Sequence, residues 1–150
     1  MPNWKPVAVI AVIAAAGIWI AFPDYLSLQT AASPDVFLGA LGDATERATI
    51  SALMDVVFAA SYATLFVIAY DAVAVGVTRL IGIALSIAAA LADEAENALV
   101  LLNVHAGQDL TQERVDLMLA AGNLKWGLLF AAIVLLLALF GQRWLEERRH

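Results

Sequence analysis

The sequence has no cysteine, only two histidines and four prolines, and few charges of either sign. Without thiols there are no disulfides, thiolate metal sites or cysteine nucleophiles. His105 and His150 are not spaced as a ligand pair, so neither a histidine metal cage nor a bis-histidine haem site is expected within one chain. The eight Lys and Arg residues form no stripe or patch, which argues against a nucleic-acid partner. No phosphate-cradling loop or nucleophile-plus-base motif is visible, and neither a metal nor a cofactor is expected.

The chain is instead rich in apolar residues. Of its 150 residues 63% are hydrophobic and 15% charged, with a mean hydropathy of +0.84. A soluble domain of this length could not cover that much apolar surface with so few charges. The expected solvent is a lipid bilayer, and the expected fold is an all-α integral membrane protein with four transmembrane helices in a single membrane domain spanning 1–150.

The first span is expected at about 7–22, between Pro6 and Pro23. Its apolar run continues through Ile18, Trp19, Ile20 and Phe22 beyond the small residues Ala14, Ala15 and Ala16, which suits an anchor better than a removed signal. Residues 23–49 form an outer loop. Within it Ser33 as N-cap and Pro34 at the first helical position predict a short helix lying on the membrane surface. "DATE" (Asp43 to Glu46) resembles a capping box with Asp at the cap. It would open the second helix, which spans at about 50–70. A short hairpin with Gly76 leads to the third span, about 80–103. A polar connection then precedes a helix that starts near Thr111, spans at about 123–141, and ends in a charged tail, 142–150.

Basic residues set the orientation. Lys5, Arg79, Arg143, Arg148 and Arg149 flank one side, while the other two connections hold Arg47 and Arg114 among seven acids. Both termini are therefore expected to be cytoplasmic, in a plasma membrane of bacterial inner-membrane type. Trp4, Trp19, Trp126 and Trp144 fall near helix ends, where indoles favour the interface.

The anomaly is "ADEAEN", which puts Asp93, Glu94, Glu96 and Asn97 into the third span. At ~100° per residue, Asp93, Glu96, Asn97, Val100 and Asn103 share one face, which continues through Gly82, Ser86, Ala89 and Ala90. Glu94 lies about 100° away from Asp93. Each central carboxylate costs about 2.5–3.5 kcal/mol, whereas a Leu or Val returns only about 0.3–0.6 kcal/mol. The stripe must therefore face protein, water or a ligand. Helix 2 offers Asp55, Tyr62 and Phe66 on a matching side, with Ser51 and Tyr70 nearby, and helix 4 offers Lys125 beside Gly122, Leu129 and Ala132. Asp55, Glu96, Asn97 and Lys125 come out at one level, in the outer half of the bilayer, which predicts one polar chamber.

Three readings follow, of which the first is the expected one and the other two are its alternatives. In the first, Lys125 pairs with Asp93 or Glu96, Asn97 bridges helices, and the cluster fixes the register of an accessory or structural subunit with a membrane-protein partner or a homo-oligomer. In the second, the chamber binds or transforms a lipid-like molecule, isoprenoid or sterol-like. Asp93 and Glu96 would be an acid–base pair, Asp55 a third catalytic candidate, and Tyr62, Asn97, Lys125, Asn103 and Ser86 ligand contacts. In the third, intramembrane acids mark a proton or cation pathway in an oligomer.

Overall fold

The computed structural model describes residues 23–148 and, before them, residues 12, 13, 15, 16 and 20. The first expected span lies largely outside the described residues. What is described is all-helical, with no strand: α1 (Tyr25–Gln29), α2 (Pro34–Leu41), α3 (Thr45–Val73), α4 (Gly76–Ala106) and α5 (Gln112–Glu147). Three of these, α3, α4 and α5, are long and apolar enough to cross a membrane, the make-up of a helical membrane protein.

Local chemistry sets the breaks. Ser33 caps α2, its side chain accepting from the Val36 amide at 3.3 Å, with Pro34 in the first turn as expected. Gly42, at φ +50°, ends that helix in a conformation other residues rarely adopt. Asp43 does not cap α3. The helix starts one residue later behind Ala44, without a side-chain cap, because the Ala44 amide already turns back to the Leu41 carbonyl. Between α3 and α4 only Ala74 and Val75 leave the helical conformation, so both helices overrun the expected hairpin. Helix α5 likewise starts well before its apolar run and continues through most of the expected tail.

Helix α4 is central, packing along both α3 and α5, while α3 and α5 touch each other little. The gap between those two is closed at one end by the 23–44 segment. This segment holds more than the expected surface helix. It contains two helices, and their Tyr25, Leu28, Phe37 and Leu41 are buried in an apolar cluster with Ala48 and Ala52 of α3, Val100 and Val104 of α4, and Val115 and Met118 of α5. Gln112 ties the segment down further, donating to the Ala32 carbonyl at 3.0 Å. At the opposite end Arg79 and Asp71 form the expected half-exposed ion pair, 2.7 Å apart, a geometry that contributes little.

Candidate functional site

Helix α4 supplies Asp93, Glu96 and Asn97 at positions i, i+3 and i+4, which places all three on one face. That face is covered. Asp93 and Glu96 are each 2% exposed and Asn97 is fully buried. Helix α5 delivers Lys125 between the two acids: its Nζ lies 3.1 Å from Asp93 Oδ1 and also pairs with Glu96 Oε2. The second oxygen of Asp93 accepts from the Tyr62 hydroxyl of α3 at 3.0 Å. One carboxylate thereby joins all three long helices.

Glycine makes the α4–α5 approach possible. A Cβ added at Gly122 would stand 2.6 Å from Glu96 Oε1, so the small residue leaves room for the carboxylate. The Lys125 ammonium also lies 5.3 Å from the centre of the Trp126 ring, within cation–π range.

The 23–44 segment completes the site with two residues that the helical pattern did not single out. Tyr25 donates its hydroxyl to Asn97 Oδ1 at 3.0 Å, and Gln29 Nε2 donates to Asp55 Oδ2 at 3.1 Å. Neither belonged to a recognisable span, and a five-residue helix carries no usable periodicity. The only signal was the presence of side chains with hydrogen-bonding groups just after Pro23. Among the described residues Asn97 thus reaches the 23–44 segment and not either of the long helices beside its own.

Burial pushes the Tyr25 phenol well above its ordinary pKa of 10.0, with the charges of Asp55, Glu96 and Asp93 acting in the same direction. A raised value in the folded state means that the contribution is complete below the unfolded pKa of about 10 and is lost as pH rises above it. Tyr25→Phe removes the donor and leaves a buried amide oxygen unpaired, at an expected cost of about 1–3 kcal/mol. The melting temperature at neutral pH should fall, and its further drop between about pH 9 and 11 should be smaller than in the wild type. An unchanged melting temperature in the variant would show that this hydrogen bond does not hold α1 in place.

The remaining expected site residues fall elsewhere. Ser86 bonds back to the Gly82 carbonyl of its own helix at 2.8 Å. Asn103 lies at the end of the bundle that holds the apolar cluster, 3.6 Å from Met118 Sδ. Glu94 is half-buried and has no ion-pair or hydrogen-bond partner among the described residues. Among the described residues no group of three or more His, Cys, Asp or Glu side chains comes together to hold a metal ion.

Beside the network lies a cavity of about 280 Å³ in the gap between α3 and α5. Its polar wall is Asp55, Tyr62, Asp93 and Lys125, and its apolar wall includes Phe58 and Leu129. A second cavity, of about 260 Å³, reaches Glu96 from the far side of Gln29 and Trp126. Comparison with family models, curated proteins and solved structures finds no match to this chain.

Proposed function

We propose that this chain is a small multi-pass membrane protein, with the four spans and cytoplasmic termini of a plasma-membrane protein, that holds a lipid-like molecule in the gap between α3 and α5. The cavity against Asp55 and Tyr62 carries this reading: it combines a few convergent polar groups with apolar walls, the usual composition of a small-molecule site. Trp126 and Leu26, both more than half exposed, stand at its rim, giving it a side entrance at the flank of the bundle.

The network beside it has a structural task. Lys125 occupies oxygens of both Asp93 and Glu96, the two groups an acid–base pair would need free. Binding is therefore better supported than acid–base turnover. Passage of protons or cations has less support, since Tyr70 fills the inner half, wholly buried, and donates to the Ala132 carbonyl.

One observation favours a second reading, an accessory subunit docked on a partner. Only 11% of the α5 span is buried, against 28% for α3 and α4, which leaves a long apolar face for lipid or another chain.

An alkyl chain carrying a dansyl group distinguishes a chamber from bulk lipid. In nanodiscs, energy transfer from tryptophan to the probe is expected to contain a saturable part that disappears in Trp126→Phe. Transfer that never saturates, and is the same in the variant, would leave the cavity without a ligand role.

A further inference from the structure

The cavity is not neutral in design. Its polar wall and the groups directly behind it comprise three carboxylates, Asp55, Asp93 and Glu96, against one ammonium, Lys125. Lys125 is committed to Asp93 and Glu96, and Asp93 also accepts from Tyr62. Asp55 is different. It is 7% exposed and lines the cavity, and its only hydrogen-bond donor among the described residues is the uncharged amide of Gln29, on Oδ2. The other oxygen has no partner among the described residues. A carboxylate this buried is strongly disfavoured unless a positive charge or further donors meet it, or a proton neutralises it.

Two kinds of cation could answer it. A metal ion needs several hard ligands in one place, and no three His, Cys, Asp or Glu side chains gather to hold one among the described residues. An organic ammonium needs one carboxylate, aromatic faces and an apolar path for its tail. Phe58 and Trp126 supply the rings, and Leu129 and Leu26 line the way out to the flank. At about 280 Å³ the space lies at the lower end of small-molecule sites. It holds a head group and the start of one chain, with the remainder passing into the bilayer.

Resting on the reading of this cavity as a lipid-like binding site, we infer that its ligand is a single-chain lipophilic amine whose ammonium pairs with Asp55 between the Phe58 and Trp126 rings. Lys125 does not bar this charge, because Asp93 and Glu96 already compensate it. The neutral Gln29 amide serves as a placeholder that keeps the free oxygen of Asp55 turned to the cavity.

The test compares octylamine with octanol, which share a tail and differ in charge, on the full chain in nanodiscs. Octylamine is expected to raise the melting temperature saturably, with at least tenfold tighter apparent binding than octanol. Asp55→Asn should reduce the two to equal affinity. Should that variant fail to fold, Leu129→Phe, which narrows the cavity and leaves its charges alone, is expected to weaken octylamine at least tenfold. Equal stabilisation of the wild type by both compounds overturns the amine assignment while the chamber stands. No saturable effect from either removes the chamber as well. A preference for octylamine that survives in Asp55→Asn places the amine elsewhere and also overturns the inference.

Discussion

Lys125→Met is expected to lower stability by about 3–5 kcal/mol and the melting temperature accordingly. The reason is geometric. Lys125 is 6% exposed and sits between two carboxylates that are each 2% exposed, so removing it leaves two buried acids without their cation. Such a pair adds little net stability relative to apolar residues of similar size, yet breaking it from one side is costly. The loss should therefore be partly recoverable. Adding Asp93→Asn removes one of the stranded charges, keeps an oxygen for the Tyr62 hydroxyl, and should restore part of the melting temperature. A double variant no more stable than Lys125→Met would mean that the Asp93–Lys125 contact does not couple the helices. The cycle reads a coupling energy because the two residues touch.

The second large effect lies at the other end of the α3–α4 interface. Gly82 faces the Tyr70 ring so closely that a Cβ placed there would overlap the ring carbons. The ring has little freedom to move aside: Tyr70 is fully buried, and its hydroxyl is tied to the Ala132 carbonyl of α5. Gly82→Ala must therefore separate α3 from α4 or break the tie to α5, at an expected cost of about 1–3 kcal/mol. This contrasts with the usual gain from replacing a helical glycine by alanine. The melting temperature of Gly82→Ala should fall, and Gly82→Ala combined with Tyr70→Ala should be no less stable than Tyr70→Ala alone. Additive losses would show that the glycine matters for some reason other than the ring.

The helices and their inward faces were legible because both signals are periodic. The spacing of Asp93, Glu96 and Asn97 fixed a face, and the cost of carboxylates in lipid required that face to be covered. Asp55 and Lys125 were the polar residues of the neighbouring helices at matching depth, with Tyr62 on the same side as Asp55, and Asp93 and Lys125 do meet. Gly122 and Gly82 share a physical cause, since small residues let helices approach, although only Gly122 stands against a charge. What was not legible is the 23–44 segment. Tyr25 and Gln29 contact the site through a turn of five residues that has no period to read, and Asp43 looked like a helix cap until the preceding turn claimed its place. Asn103 and Ser86 lie on the striped face and are fully buried, yet each stands six or seven residues along α4 from the cluster, roughly 10 Å at the helical rise, so facing inward did not bring them to it. The cavity was equally hidden. It exists because α3 and α5 both lean on α4 and hardly on each other, a property of three-dimensional packing that no single helix records.

The claim at the centre is that this chain by itself encloses a lipid-like ligand beside its buried network. Native mass spectrometry of protein extracted gently from its own membranes tests it most directly. The expected spectrum shows the chain alone, or as a homo-oligomer, carrying one reproducible small mass per chain that is lost in the cavity-narrowing Leu129→Phe variant. A stoichiometric partner chain with no bound small molecule would contradict it and identify the protein as an accessory subunit.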